Sequence, residues 1–170
     1  MSVPSDSTLA ALAREVGAQL HRTSRRLVTA ESCTGGWIAK LATDIAGSSE
    51  WFECGFVCYS NAAKTRDLGV PEKLIESDGA VSDAVVRAMA EGAIARTRAN
   101  VGLAVSGIAG LGGAVPGKPV GTVWFALAHQ QEDHLECQGH LIQFDGNRDA
   151  VRRQAVEYAL KLLRALPPRV

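Results

Sequence analysis

The stretch Ser82–Val105, SDAVVRAMAEGAIARTRANVGLAV, decides the fold class. Val85, Val86, Met89, Ala93 and Ile94 share one stripe at helical spacing, which predicts a helix over Ser82–Asn100. Val101–Val105 then carries no polar side chain, as expected of a strand covered on both faces. A helix that feeds a fully buried strand is the repeating unit of an α/β sheet. The alternation continues toward the N-terminus. Leu9, Leu12, Val16 and Leu20 predict a helix opened near Ser7, with Ser5, Asp6 or Ser7 as cap. Leu27–Ala30 reads as a buried strand, Gly35–Ile45 as a helix ended by Gly47, and Gly55–Tyr59 as a strand. Asn61–Leu68 is a short helix with Gly69 and Pro71 as stop signals. Toward the C-terminus, the glycine-rich loop Ser106–Pro119 leads to strands at Thr122–Ala128 and Leu135–Ile142, joined as a hairpin through Gln130–Asp133. Asn147 caps a last helix carrying Val151, Ala155, Tyr158 and Leu162. The expectation is an α/β fold, a three-layer α/β/α sandwich on a mixed, mostly parallel sheet of about five strands, in one domain spanning 1–170.

Eighteen basic residues balance eighteen acidic ones among 170, so no net field draws nucleic acid or anionic lipid. No apolar run approaches the roughly 18 residues of a membrane span. Residues 1–7 lack the basic and apolar segments of a secretory signal, and a cytoplasmic location is the expectation. Cys33, Cys54, Cys58 and Cys137 form no C-x-x-C pair, and His129, His134 and His140 form no helical ligand pair, so neither a disulfide framework nor a metal site is expected.

Ligands in open α/β sheets bind beyond the carboxyl ends of the parallel strands. Three segments fall there: Glu31–Gly36 (ESCTGG), Tyr59–Lys64 (YSNAAK) and Ser106–Gly110 (SGIAG). The first two open helices, whose free N–H groups suit an anion. Gly112–Pro119 imitates a phosphate-binding loop, but Pro119 stands where the magnesium-holding hydroxyl belongs and a strand follows instead of a helix. The glycines of Gly107–Gly112 have the wrong offsets for a dinucleotide fingerprint. No G-x-S-x-G elbow is present. A serine can instead be activated by a lysine whose pKa burial lowers. Lys64, just inside a helix start, is the candidate, against the plain alternative of a surface lysine. Cys33 is a rival nucleophile if a helix N-terminus acidifies it, and otherwise a small buried filler.

The segments Thr29–Gly36 (TAESCTGG), Gly47–Ser49 (GSS), Gly55–Asn61 (GFVCYSN) with Lys64, Ser106–Gly110 and Lys118–Val123 (KPVGTV) resemble the CinA C-terminal domain family, in order and at family spacing from about Leu9 to Leu163. Stand-alone members of this length hydrolyse the carboxamide of nicotinamide mononucleotide (NMN) to nicotinate mononucleotide and ammonia in pyridine-nucleotide recycling, without metal or other cofactor. The resemblance implies a Ser–Lys amidohydrolase: Lys64 as base, Ser49 as nucleophile, Ser32 and Tyr59 orienting or assisting the oxyanion. It also implies phosphate binding by Arg148, with Thr34 and Ser106 as weaker contacts, in a substrate site that includes Gly35, Gly36, Asn61 and Gly107. Strand geometry conflicts with Ser49: it precedes the strand that Lys64 follows, and five residues at about 3.3 Å each span roughly 16 Å. Either Ser48–Phe52 folds back, or a neighbouring subunit of a homo-oligomer supplies one partner, or Ser32 is the nucleophile. Backbone N–H groups of the Ser32–Gly36 turn are the expected oxyanion donors. Where the family commonly continues Gly-Ile-Ala-Gly with a proline, this chain has Leu111 and Gly112. The competing functional reading is a non-catalytic nucleotide-binding or competence-associated module.

Overall fold

A computed structural model describes residues 3–110, 113 and 117–167. Leu111 and Gly112, where the chain departs from the family pattern, lie outside the described residues. Five strands, β1 (Leu27–Glu31), β2 (Phe52–Val57), β3 (Val101–Gly107), β4 (Thr122–Gln130) and β5 (Leu135–Gln143), form one sheet in the order β2-β1-β3-β4-β5. β1 pairs in parallel with β2 and β3, whereas β4 and β5 run antiparallel. Helices α1 (Asp6–Arg22), α2 (Trp37–Thr43) and α6 (Arg148–Arg164) cover one face, and α3 (Asn61–Leu68), α4 (Glu72–Asp78) and α5 (Asp83–Ala95) the other. The sheet is thus the middle of three layers, as the hydrophobic pattern predicts.

The two faces have separate apolar cores. Leu9, Val16 and Leu20 of α1 meet Val151, Ala155 and Leu163 of α6 over Leu27, Leu103 and Phe125. On the far side, Val85, Val86 and Met89 of α5 pack on Val28, Ala104 and Ala126. Every residue of Val101–Val105 is buried, as a strand between two helical layers must be. The expected caps form at Ser5 and Asn147, and Ser60 and Ser82 serve likewise: each accepts a backbone N–H of the first turn behind it.

Several boundaries move. The second helix starts at Trp37 rather than Gly35, because Gly35 and Gly36 have φ of 64° and 89°, outside the helical region. It ends at Thr43, and Gly47 opens a single 3-10 turn, Ser48–Glu50, instead of capping the helix. β2 begins at Phe52, and Tyr59 lies beyond its end. α5 stops at Ala95, where Thr97 Oγ donates to the Ala93 carbonyl. Ser106 and Gly107 belong to β3, not to the loop. Among the described residues no helix is long and apolar enough to cross a membrane.

Candidate active site

Pairing brings the three parallel strands to a common edge. Glu31 is level with Val57 on β2 and Val105 on β3. The chain leaving each strand is tied to its neighbour: Ser32 N–H donates to the Val105 carbonyl and Cys58 N–H to the Glu31 carbonyl, both at 2.9 Å. A pocket of about 430 Å³ opens there, lined by Ser32, Lys64, Ser106, Gly107–Gly110 and Arg148 among others. This volume lies in the usual range for small-molecule sites.

Lys64 is the largest fully buried side chain, 1% exposed. It sits in the first turn of α3, and helical side chains lean back toward the N-terminus, so its stem runs under the segment preceding the helix. Its Nζ donates to the carbonyls of Cys58 (3.0 Å) and Tyr59 (3.2 Å) and to Ser32 Oγ (3.2 Å). Loss of hydration holds its pKa below the ordinary 10.5, partly opposed by the thiols of Cys58 and Cys33. Three acceptors match the three protons of an ammonium. Once one proton is lost, the two carbonyls must keep the two remaining N–H groups, because they cannot donate. The lone pair then faces the one partner that carries a proton, the Ser32 hydroxyl.

The turn carrying Ser32 is gripped by two opposite charges. Glu31 is fully buried, and its carboxylate accepts the N–H groups of Gly36 (3.0 Å), Ile38 (3.1 Å) and Ala39 (2.9 Å), which opens α2. Arg152 of α6 donates through Nε to the Cys33 carbonyl (3.1 Å) and through Nη2 to that of Thr34 (3.0 Å). Most N–H groups expected to hold an oxyanion are therefore already used: Ser32 on Val105, Gly35 on the Ser32 carbonyl, Gly36 on Glu31 and Trp37 on the Thr34 carbonyl. The Cys33 N–H bonds its own thiol, and neither Cys33 nor Thr34 borders the pocket. The Cys33 thiol is 5% exposed and burial pushes its pKa up to about 12, so the expected acidification by the helix N-terminus is overridden by desolvation.

The other candidates divide into two groups. Tyr59, 63% exposed, borders the pocket, and its hydroxyl accepts from Arg148 Nη2 at 3.1 Å. Asn61, Ser106 and Gly107 also border it. The Ser106 hydroxyl donates to the Ala80 carbonyl at 2.7 Å, which occupies its proton. A Cβ at Gly107 would lie 2.7 Å from Val123 Cγ2, so only glycine fits. Thr34 is fully buried, and neither it nor Gly35 and Gly36 borders the pocket. Ser49 is exposed on the 3-10 turn before β2, and its carbonyl accepts from Arg26, the residue preceding β1. It therefore lies at the opposite edge of the sheet from Ser32 and Lys64, and Ser48–Phe52 does not fold back. Glu31 and Arg152 were not singled out by sequence reasoning. A carboxylate just ahead of a Gly-Gly helix start is a usable signal for Glu31. Nothing local marks Arg152, which is 118 residues from its Thr34 partner.

Fold and site together define an α/β protein with a small-molecule pocket on its parallel-strand edge and an amine–hydroxyl pair in the pocket lining. The chain belongs to the CinA C-terminal domain family, whose model matches residues 9–166. It is 52% identical over 161 residues to the nicotinamide-nucleotide amidohydrolase PncC of Escherichia coli K12, covering 93% of this chain and 94% of that protein. Against the Pseudomonas putida protein of the same name it is 53% identical over 149 residues, covering 88% and 91%. A CinA superfamily crystal structure from Escherichia coli matches with a TM-score of 0.88 at 34% identity, covering 98% and 95% of the two chains. The competence/damage inducible protein CihA from Agrobacterium tumefaciens matches at 0.85 and 40% identity, covering 96% of each.

Proposed function

We propose that this protein hydrolyses the carboxamide of NMN to nicotinate mononucleotide and ammonia, with Ser32 as nucleophile and Lys64 as general base. The observation that carries this reading is the buried Lys64 amine 3.2 Å from Ser32 Oγ, both lining the pocket. The substrate class comes from the relatives, since nicotinamide-nucleotide amidohydrolases match nearly the whole chain.

In the proposed reaction, Ser32 Oγ attacks the carboxamide carbon as its proton passes to Lys64. The tetrahedral adduct collapses with cleavage of the C–N bond, and the lysine proton leaves on the nitrogen as ammonia. Water then attacks the acyl ester, giving one proton to Lys64, which returns it to Ser32 Oγ as the ester bond breaks. Arg148, the first residue of α6, places a guanidinium and a helix N-terminus on the pocket rim, where the substrate phosphate would dock. Tyr59 holds that guanidinium in place through its hydroxyl. The product keeps its ribose phosphate, so it is suited to direct re-use in pyridine-nucleotide synthesis in the cytoplasm.

Ammonium release from NMN by the purified protein, compared with Lys64→Ala, tests the reading. Wild type should turn over, and the variant should lose roughly 10²–10⁴-fold in rate, the usual weight of a general base. Binding of NMN without ammonium release by wild type would favour a non-catalytic sensor.

A further inference from the structure

We propose that Arg152 is a positioning residue for Ser32: its fork holds the two peptide carbonyls that follow the serine, and so keeps the hydroxyl at the Lys64 amine. The inference rests on the Ser32–Lys64 reading above.

Five observations carry it. Ser32 does not lie within a regular element. It begins a turn that is closed by Gly35 N–H on the Ser32 carbonyl and whose two glycines both have positive φ, backbone that glycine leaves free to take other conformations. Glu31 fixes only the distal part of the turn, from Gly36 onward. The peptides between, those of Cys33 and Thr34, are braced by Arg152 Nε and Nη2. The brace is itself rigid: the guanidinium carbon sits 5.2 Å from the Trp37 ring centre, and its stem rises from the buried helix α6, which packs on α1 and the sheet. Arg152 does not border the pocket, so it acts on the reaction without touching what binds there.

Two consequences follow from the chemistry of the guanidinium. Its two N–H groups bond neighbouring carbonyls at once, a geometry that a lysine ammonium on a flexible stem does not reproduce. Its charge also lies at the peptides next to the nucleophile, and like the Lys64 amine it favours the anionic form of the adjacent Cys33 thiol. The same field favours an oxyanion formed one residue earlier. Removing the brace therefore disturbs the placement of Ser32 Oγ and weakens the field around it, while leaving the substrate contacts intact.

The test compares wild type, Arg152→Met, Arg152→Lys and Arg152→Ala in steady-state ammonium release from NMN, with Arg152→Ala assayed again in millimolar guanidinium chloride. A misplacement of a reacting group by about 1 Å costs on the order of 100-fold, so Arg152→Met should lose about 30–100-fold in kcat with KM within about twofold. Arg152→Lys should recover only part of this loss. Guanidinium ion should restore Arg152→Ala several-fold and leave wild type and Lys64→Ala unchanged, a response that a general loss of stability would not produce. Retention of wild-type kcat in Arg152→Met would overturn the proposal. So would a loss carried by KM, or a kcat loss that guanidinium ion does not relieve in a variant whose circular dichroism matches wild type. If wild type itself releases no ammonium, it is the amidohydrolase reading that fails.

Discussion

Exchanging each of the two candidate nucleophiles for alanine separates the readings most sharply. Proton transfer to Lys64 requires a hydroxyl within about 2.6–3.2 Å. Ser32 Oγ meets this distance at 3.2 Å. Ser49 stands before β2 and Lys64 after it, and the six residues of Phe52–Val57 at about 3.3 Å each set them roughly 20 Å apart. Within one chain, Ser49 therefore cannot receive help from Lys64. Ser32→Ala should lower kcat by roughly 10⁴–10⁶-fold, the scale seen when a catalytic serine is removed, equivalent to about 5–8 kcal/mol of transition-state stabilisation. Ser49→Ala, at an exposed turn position, should stay within about threefold of wild type and change stability by less than about 0.5 kcal/mol.

The assay is ammonium release from NMN in a coupled spectrophotometric format, with circular dichroism as a control for folding. An inactive, folded Ser49→Ala beside an active Ser32→Ala would refute the assignment of Ser32. One further measurement then identifies the reason. Co-expression of Ser49→Ala with Lys64→Ala would restore about a quarter of wild-type activity if each site of a symmetric dimer takes its serine from the other subunit, because half of the dimers would be mixed and each would have one intact site. The expectation is instead that Ser49→Ala is active by itself, because the amine already has a hydroxyl partner in its own chain.

The pH dependence has a definite sign. Burial lowers the Lys64 pKa below 10.5, so kcat should fall as pH drops through that lowered value and the amine becomes protonated; a flat profile down to pH 5 would remove the lysine as base. The same shift acts on stability: between the lowered folded pKa and the ordinary unfolded one, the unfolded chain binds more protons, so stability should rise with pH across that window, and urea titrations of wild type and Lys64→Met would show the rise only in wild type. Arg148→Met should lose about 10–100-fold in kcat/KM for NMN, the weight of one or two charge-assisted hydrogen bonds, but much less for nicotinamide riboside, which lacks the phosphate. Cys33→Ala should keep kcat within about threefold, and iodoacetamide should inactivate wild type only slowly, since a thiol with a pKa of about 12 is scarcely ionised; rapid inactivation blocked by Cys33→Ala would restore the thiol reading.

The segments that could be read from the sequence are those where one local signal dominates. Asn61–Leu68 is found to the residue, because Gly69 at φ 71° ends it and Pro71 follows. Val101–Val105 reads as buried because it is apolar on both sides of the pleat. α4, with Ile75 as its one buried residue, is too short to display a period and was not anticipated. β2 hides its first residues because it is an edge strand with a register irregularity opposite Leu27 and Val28, so Phe52–Cys54 lacks a clean alternation. The sequence overstates the length of α2 because Gly35 and Gly36 suggest a helix start without showing which of them is helical; both are left-handed.

The candidate site follows the same logic at a larger scale. That Ser32 and Lys64 share an edge could be inferred, since each follows a strand and adjacent parallel strands end together. The direction of the lysine side chain could not, because an exposed and a buried lysine have the same local sequence. Only the packing of α3 against the Cys58–Tyr59 segment turns the amine inward onto two carbonyls and a hydroxyl. The loss of hydration that suits Lys64 to accept a proton is thus a property of the assembled sheet edge. The hydroxyl among the amine's three partners belongs to a turn held by Arg152 from the last helix. A reaction that depends on one hydroxyl meeting one lone pair accordingly draws on residues from both ends of the chain; Ser49 enters only through the family resemblance, whereas the strand geometry that leaves Ser32 open agrees with the 3.2 Å approach of Ser32 Oγ to the amine.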